Sequence, residues 1–289
     1  MPGSATLNTA ATELTIPTAD FSSLVVDAAG GADKLTAIDT DGIDLTFIGG
    51  DGDDTFSLQD GGVLGALNPA DSANLLSGDR LEASGSGNRV DSNFIGAAGS
   101  VINVDGSTSL GGDLSIGISS FSTTGTIYVG DNYQLTLVDS NQASLGSLTT
   151  VADDGTLTAV QGINLSSGDV LTGAGTVNVG TGTDDLNINS GTVDGALTID
   201  GDVDVEDGTL TGNGVVNGDV DLGTGLVAGN VTVNGDLSGP SVSDNEGTIS
   251  PGFSPGIITV SGNFVLGGGD TLAIDIDGGG RVFLAVTIK

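Results

Sequence analysis

The stretch that decides the fold, residues 170–237, reads VLTGAGTVNVGTGTDDLNINSGTVDGALTIDGDVDVEDGTLTGNGVVNGDVDLGTGLVAGNVTVNGDL. Its aliphatic residues come in pairs two positions apart, and Gly, Asp, Asn, Thr and Ser lie between the pairs. A spacing of two points both side chains of a pair to one face of a β-strand, and the intervening residues favour tight turns. The pairs are Val177/Val179, Leu186/Ile188, Leu197/Ile199, Val203/Val205, Val220/Leu222 and Val231/Val233.

Strands this short cannot bury a face alone, so many of them must stack into one column, as in a solenoid. A repeat near the N-terminus supports this interpretation. Residues 24–39, LVVDAAGGADKLTAID, match residues 45–60, LTFIGGDGDDTFSLQD, at an offset of 21. A looser third copy, LLSGDRLEASG at 75–85, places Leu81 where Leu35 and Phe56 stood, and 67–74 then reads as a loop inserted at a corner. A turn of about 21 residues is typical of one coil of a parallel β-helix.

We therefore expect an all-β protein, a right-handed parallel β-helix with Gly/Asp-rich turns. The recurring Asp-Gly and Asn-Gly steps each favour a β-hairpin, so an antiparallel β-sandwich or barrel stays open as the alternative. The expected segments are a lead-in or cap over 1–22, N-terminal coils over 23–108, the main β-helix over 109–277, and a cap or truncated coil over 278–289.

The net charge of −33 argues against binding to nucleic acid or to anionic membranes. Most of the aspartates are explained by solubility and by the preference of Asp for turns. Calcium binding is the more specific alternative, because Ca²⁺ is coordinated by carboxylate and carbonyl oxygens. Without Cys, a disulfide scaffold is excluded, and without His, so are His-ligated metals and His-activated nucleophiles. We find no apolar run long enough for a transmembrane helix, and the N-terminal residues do not resemble a signal peptide. We expect an export signal elsewhere, or a longer parent protein.

Residues 49–57, GGDGDDTFS, satisfy the nonapeptide G-G-x-G-x-D-x-U-x through Gly49, Gly50, Gly52, Asp54 and Phe56. This stretch is similar to the Ca²⁺-binding repeats of the repeats-in-toxin family. The resemblance implies that the Gly-rich half wraps an ion and that the apolar residue enters the core. It implies Ca²⁺ as a cofactor, with Asp51, Asp53 and Asp54 as the side-chain ligands. An acidic β-helix corner without an ion is the alternative.

Residues 247–277 carry a doubled Ser-Pro-Gly corner followed by alternating strands. The corner residues are Ser250, Pro251, Gly252, Ser254, Pro255 and Gly256. With the upstream phrase LTGNGVVNGDV at 210–220, this segment resembles the C-terminal part of autotransporter-type passenger β-helices, which are adhesin-like surface proteins. Because Pro fixes φ and lacks an N–H, we expect a rigid bend between coils here. The resemblance implies a secreted or cell-surface protein and marks an architecture, not an activity.

Two carboxylate pairs, Asp153/Asp154 and Asp184/Asp185, are candidates for glycoside cleavage, which needs two carboxyl groups across a cleft. Sugar-processing sites also use aromatic platforms and basic groups, and no Lys or Arg lies between Arg89 and Arg281. We interpret both pairs as solvated corners and expect no catalytic residues.

The expected function is a non-catalytic stalk or adhesive passenger segment, extracellular or on a bacterial cell surface. The expected partners are host or neighbouring-cell surface molecules or matrix polysaccharide. A β-helix polysaccharide-processing enzyme and a Ca²⁺-dependent secreted repeat module are the alternatives.

Overall fold

The computed structural model describes residues 22–40, 43–67, 72–76, 78–85, 87–90, 93–97, 100–104, 112–116, 121–138, 141–180, 185–239, 246–252 and 256–274. All regular secondary structure among these residues is β-strand, and every strand pairing is parallel. The strands form three long sheets that the chain visits in turn, so the fold is a parallel β-solenoid. The predicted β-helix is confirmed, and the antiparallel alternative is wrong.

The first sheet, called sheet 1, has 13 strands. They are Ser23–Asp27, Asp44–Ile48, Ala66–Leu67, Ser72–Leu75, Asn93–Gly96, Phe121–Thr123, Ala143–Ser144, Ile163–Leu165, Leu186–Ile188, Val203–Val205, Val220–Leu222, Leu237–Ser238 and Phe264–Val265.

Sheet 2 has 12 strands. They are Lys34–Ile38, Thr55–Gln59, Arg80–Ser84, Val101–Val104, Thr126–Val129, Leu148–Val151, Val170–Gly173, Thr192–Gly195, Thr209–Leu210, Leu226–Gly229, Thr248–Pro251 and Thr271–Leu272.

Sheet 3 has ten strands. They are Val63–Leu64, Asn88–Val90, Gly112–Ile116, Tyr133–Leu137, Thr156–Ala159, Thr176–Val179, Thr198–Asp200, Val215–Val216, Thr232–Val233 and Thr259–Val260. From Ser72 onward, each coil of the chain therefore runs through sheets 1, 2 and 3 and returns to sheet 1 one layer further along the column.

The predicted 21-residue register is confirmed in the N-terminal coils. Leu24 pairs with Leu45 in sheet 1, and Leu35 pairs with Phe56 in sheet 2. Phe56 pairs in turn with Leu81, as the third copy predicted. Parallel pairing continues past residue 108, since Val101–Val104 pairs with Thr126–Val129. The column thus runs unbroken from the N-terminal coils into the main β-helix.

The coils shorten to 17 residues in the middle of the stretch that decides the fold, a feature the sequence analysis did not find. Val203, Val220 and Leu237 stack on one another in sheet 1 at offsets of 17. By contrast, Leu171 and Val193, which stack in sheet 2, are 22 residues apart. The signal was present as two adjacent 17-residue copies, GDVDVEDGTLTGNGVVN at 201–217 and GDVDLGTGLVAGNVTVN at 218–234.

Aliphatic side chains fill the interior, because alternate residues of each strand point inward. Both members of each of the six predicted pairs are buried, and they belong to one continuous core. Phe47 and Phe56 pack edge to face in the N-terminal coils, with ring centroids 4.7 Å apart. The thin layers of the column explain why Val, Leu, Ile and Ala suffice for most of this core.

The prediction of a corner loop over 67–74 is wrong, because both ends of this range belong to β-strands. Ala66–Leu67 and Ser72–Leu75 are strands of sheet 1, and Leu67 pairs with Ala73. Residues 68–71 lie outside the described residues. Pairing satisfies backbone N–H and C=O groups that an inserted loop would leave to solvent, and it adds one strand to sheet 1.

The doubled Ser-Pro-Gly segment begins as a strand and not as a bend. Ser250 and Pro251 end the strand Thr248–Pro251, where Gly229 pairs with Pro251. A proline is tolerated at this strand end, although it cannot donate a hydrogen bond. Residues 253–255 lie outside the described residues. Strands follow this segment, as expected, at Thr259–Val260, Phe264–Val265 and Thr271–Leu272.

Two of the expected segments fall largely outside the described residues. These are the lead-in over 1–22, of which only Ser22 is described, and the cap or truncated coil over 278–289. Within the described part of the chain, no helix is long and apolar enough to span a membrane.

Thr149 is one of several buried polar residues, and it yields a stability prediction. Thr149 lies in sheet 2 between Ile127 and Leu171, and its buried hydroxyl oxygen lacks a hydrogen-bond partner. Replacing an unsatisfied buried hydroxyl by a methyl group of similar shape removes a desolvation penalty of about 1–3 kcal/mol. We expect Thr149→Val to raise the unfolding midpoint in urea. The control Thr150→Val changes the half-buried neighbour on the outer face, and a larger gain there than at Thr149 would contradict this interpretation.

Candidate functional site

The corner before sheet 2 carries a column of aspartates in the three N-terminal coils. Asp33, Asp54 and Asp79 each immediately precede a sheet-2 strand. The backbone N–H of Asp33 donates to Asp54 Oδ1 at 2.9 Å, and that of Asp54 donates to Asp79 Oδ1 at 3.1 Å. We call these three residues the acidic corner. The carboxylates of Asp54 and Asp79 thus each hold the backbone of the preceding coil in register.

Burial makes the acidic corner electrostatically unusual. Asp54 and Asp79 are 1% and 0% exposed. Both oxygens of Asp79 accept hydrogen bonds, from the N–H groups of Asp54 and Leu76. In contrast, Oδ2 of Asp54 and Oδ2 of Asp33 are buried without a hydrogen-bond partner. Two carboxylate oxygens in adjacent coils therefore remain free for a proton or a cation.

Desolvation by burial raises the pKa of Asp54 above its usual value. The hydrogen bond from Asp33 N–H opposes this effect, and repulsion from the carboxylates of Asp79, Asp33 and Asp53 adds to it. The fold thus holds Asp54 where its charge is costly. The cost is lowered either by protonation, which removes the charge, or by a positive partner, which stabilises it.

Glycine makes room for this buried carboxylate. A Cβ on Gly49 would collide with the Asp54 side chain. Gly50 and Gly52 have φ values of 91° and 137°, which favour glycine, and a Cβ on either would collide with a backbone carbonyl of the preceding coil. The glycines of the nonapeptide are therefore explained by close packing between coils.

The predicted metal ligands do not converge on one point. Asp51 and Asp53 are exposed, whereas Asp54 is buried and accepts a hydrogen bond from the neighbouring coil. The structure brings Asp54 together with Asp33 and Asp79 instead. Within the described residues, no group of three carboxylates is placed to hold a metal ion. Asp79 could have been found from the sequence, because it occupies the equivalent position in the third copy of the repeat.

The two predicted carboxylate pairs lie at different corners of the column. Asp153 and Asp154 are exposed in the turn that follows the sheet-2 strand Leu148–Val151. Asp185 precedes the sheet-1 strand Leu186–Ile188, and Asp184 lies outside the described residues. The described members of the two pairs therefore do not form one arrangement across a cleft.

A second acidic surface, missed by the sequence analysis, lies on the outer side of sheet 1. Asp204 and Asp221 are directly paired in adjacent strands, about 4.8 Å apart in the stacking direction. Asp202 and Glu206 flank the strand Val203–Val205 at its two ends, each two residues from Asp204. We call Asp202, Asp204, Glu206 and Asp221 the acidic face. Its signal was the 17-residue repeat, which stacks like charges from successive coils.

The acidic face shifts the titration of its central residue. Burial, followed by repulsion from Asp185, Asp221, Glu206 and Asp202, raises the pKa of Asp204 to about 6. Partial protonation near neutral pH therefore relieves repulsion between the stacked coils.

Polar side chains along the corners form ladders from coil to coil. Asp202 Oδ1 accepts from the N–H of Asp219, and Asp219 Oδ1 accepts from the N–H of Asp236, at 2.8 and 2.7 Å. The amide of Asn234 donates to Asn217 Oδ1 at 2.7 Å, and Asn217 donates in turn to Asp200. These side chains bond to one another and so reinforce the stacking of the coils.

Comparisons with known proteins do not assign this chain: no family model, no curated protein and no solved structure matches it.

Because the pKa of Asp204 is raised, the stability of the folded protein should decrease as the pH rises. The folded protein binds this proton more tightly than the unfolded chain does, so the stabilisation is complete below about pH 3.8 and is lost as the pH rises through about 6. We expect the thermal unfolding midpoint to rise as the pH falls from about 7 to about 5. Asp204→Asn should reduce this slope.

Asp236 provides a control of opposite sign. Hydrogen bonds from the backbone and side chain of Asn263 lower its pKa, so its contribution to stability is lost only below about pH 3.8. Asp236→Asn should therefore leave the slope between about pH 5 and pH 7 unchanged. An unchanged slope in Asp204→Asn would contradict the assigned role of the acidic face.

Proposed function

We propose that this chain is a non-catalytic structural column that presents its outer surface for adhesive contact outside the cell. One observation carries the proposal: the interior consists of stacked aliphatic layers, while the outward polar side chains form ladders along the column. A β-solenoid of this kind fits a structural or adhesive role. A rod built by stacking sets its outer contact groups at fixed intervals, which suits extended, repetitive ligands.

The interior supports a structural role. One void, lined by residues that include Leu197, Ile199 and Val216, has a volume of about 10 Å³. That space is enough for roughly one water molecule and too small for a substrate. Its lining is largely aliphatic, so it offers few groups for chemistry. Binding by this protein is therefore proposed at the outer surface.

The charge of the surface narrows the proposed partners. A net charge of −33 and the acidic face repel polyanions such as nucleic acids and acidic membranes. Neutral polysaccharides and uncharged or basic patches on cell-surface proteins remain compatible. We propose matrix polysaccharide or host or neighbouring-cell surface molecules as the partners.

The proposed location, the extracellular space or a bacterial cell surface, rests on the resemblance to autotransporter-type passengers. The Ser-Pro-Gly residues that carry it begin at Ser250 and Pro251, at the end of a sheet-2 strand. An uninterrupted parallel column supports the same interpretation, since such a passenger is a β-helix.

A binding assay with a degradation readout tests this function. Immobilised protein is exposed to neutral polysaccharides and to intact cells, and retention is measured together with the chain length of each polysaccharide. We expect retention of at least one ligand without shortening of any polysaccharide. Shortening that is lost in Asp153→Asn or Asp185→Asn would support the polysaccharide-processing enzyme instead. Absence of both retention and shortening would contradict both functions.

Calcium binding at the acidic corner is a second candidate function. The buried oxygens Asp33 Oδ2 and Asp54 Oδ2 lack hydrogen-bond partners, and Ca²⁺ prefers carboxylate ligands. Backbone carbonyls or water would have to complete such a site, because the described residues provide no third carboxylate placed for it. A bound cation would also relieve the cost of burying Asp54.

The calcium proposal predicts stabilisation that depends on Asp54. We expect millimolar Ca²⁺ to raise the unfolding midpoint of the wild-type protein, and Asp54→Asn to abolish this increase, because it removes a negative ligand. The matched control Asp153→Asn changes an exposed aspartate at another corner and should respond like the wild type. Equal responses in all three proteins would show that Ca²⁺ acts only through general charge screening.

A further inference from the structure

Sheet 2 carries an uncharged outer surface partway along the column. Four strands that follow one another in this sheet contain no charged residue. They are Val101–Val104, Thr126–Val129, Leu148–Val151 and Val170–Gly173. Charged residues bound this surface on both sides, because Asn103 pairs with Glu82 of the strand before it and Thr172 pairs with Asp194 of the strand after it. In a chain of net charge −33, this surface is a neutral area between charged ones.

Two large side chains are exposed on this surface. Tyr128 is 38% exposed and Leu148 is 41% exposed. They lie on adjacent strands as diagonal neighbours, since Thr126 pairs with Leu148 and Tyr128 pairs with Thr150. Among the aromatic side chains that the structure describes, only Tyr128 and Phe264 are exposed. An exposed aromatic ring beside an exposed leucine is typical of an interaction surface.

The polar side chains around the Tyr128 ring are free to bind a ligand. Asn103 and Thr150 flank Tyr128 on the two neighbouring strands, and Thr172 follows Thr150. Within the described residues, neither the Tyr128 hydroxyl nor any of these three side chains hydrogen-bonds another protein group. By contrast, the polar ladders on other parts of the column bond within themselves. The neutral patch, as we call this surface, consists of Asn103, Thr126, Tyr128, Leu148, Thr150 and Thr172.

Strand geometry gives the neutral patch a regular spacing. Paired residues of adjacent strands lie about 4.8 Å apart, and residues two apart on one strand lie about 6.6 Å apart on the same face. The patch therefore presents one aromatic ring beside rows of hydroxyl and amide groups. These groups both donate and accept hydrogen bonds, as the hydroxyl groups of a sugar do. A sugar ring also has C–H groups that can pack against an aromatic face.

We propose that the neutral patch binds a neutral polysaccharide, an inference that rests on the proposed adhesive function and gives it a site. The Tyr128 ring stacks on a sugar ring, and Leu148 packs against its C–H groups. Asn103 and Thr150 exchange hydrogen bonds with the sugar hydroxyls beside the stacked ring.

Charge and hydrogen bonding favour this occupant over others. A second copy of the chain carries the same net charge of −33 and is repelled. A basic partner is attracted more strongly to the acidic face than to an uncharged surface. An apolar partner would bury the hydroxyl and amide groups of the patch without hydrogen bonds, which is costly. A neutral polysaccharide meets none of these penalties.

Depletion of the protein by insoluble neutral polysaccharides tests the site. Wild-type protein is mixed with cellulose, chitin, mannan or agarose, and the protein left in solution gives the Kd. Tyr128→Ala removes the ring, and Thr150→Val/Thr172→Val removes two stacked hydroxyls at nearly constant side-chain shape. The matched control, Thr176→Val/Thr198→Val, removes two stacked, half-buried hydroxyls from the outer side of sheet 3. Circular dichroism checks that each variant is folded.

We expect at least one of these polysaccharides to bind the wild-type protein. Tyr128→Ala should weaken that binding at least about tenfold, and Thr150→Val/Thr172→Val at least about threefold, with the sheet-3 control within about twofold of the wild type. Binding that Tyr128→Ala leaves unchanged would overturn the site while the proposed function stands.

Two other results would also overturn the site. One is that no neutral polysaccharide binds the wild-type protein, and retention on intact cells then decides separately whether the adhesive function stands. The other is self-association that Tyr128→Ala abolishes, without binding to any polysaccharide, because it would assign the patch to a second copy of the chain.

Tyrosine fluorescence gives a readout on the wild-type protein alone. The chain has no Trp and two Tyr, and Tyr133 is buried. Acrylamide, an uncharged quencher, should therefore reach mainly Tyr128. We expect soluble oligosaccharides cut from the bound polysaccharide to reduce this quenching. Quenching that stays the same at saturating oligosaccharide would contradict stacking on Tyr128, and this comparison stands even if Tyr128→Ala does not fold.

Discussion

Hydrogen bonding between successive coils is the interaction on which the rest of this structure depends. Parallel pairing gives each strand partners in the coils before and after it, so the coils must stay in register through all three sheets. Side chains then repeat along the column, and aliphatic residues stack on aliphatic residues, as Val203, Val220 and Leu237 do. A coil can gain or lose residues only at its corners, because a change within a strand would turn inward residues outward.

The corners explain the abundance of glycine and aspartate. Glycine permits the close approach of successive coils, as Gly50 and Gly52 do against the carbonyls of Ala29 and Gly31. Aspartate supplies a short acceptor that reaches the backbone of the neighbouring coil, as Asp202 and Asp219 do. Aspartates at equivalent positions of successive coils also place like charges next to one another, and at Asp204 this repulsion contributes to a raised pKa. The acidity is therefore connected with the way the coils are held together.

Much of the fold could be predicted from the sequence, because spacings of two and offsets of 21 are direct consequences of strand geometry and coil length. The 17-residue coils were missed since their aliphatic pairs were interpreted strand by strand, without alignment of one coil to the next. The candidate site was less predictable. Asp51, Asp53 and Asp54 are adjacent in sequence, yet only Asp54 turns into the column, and its neighbours Asp33 and Asp79 come from other coils. Which carboxylate is buried depends on packing that no local motif specifies.

A disulfide test of the 17-residue register addresses the central claim most directly, because the chain has no cysteine of its own. Asn217 and Asn234 are exposed and stacked in adjacent coils, with strands about 4.8 Å apart, which suits a disulfide. Mild oxidation of Asn217→Cys/Asn234→Cys should give an intramolecular disulfide, detected by mass spectrometry. Asn217→Cys/Asn230→Cys, whose partners are out of register, should stay reduced. Efficient closure of the second pair and failure of the first would contradict the parallel column.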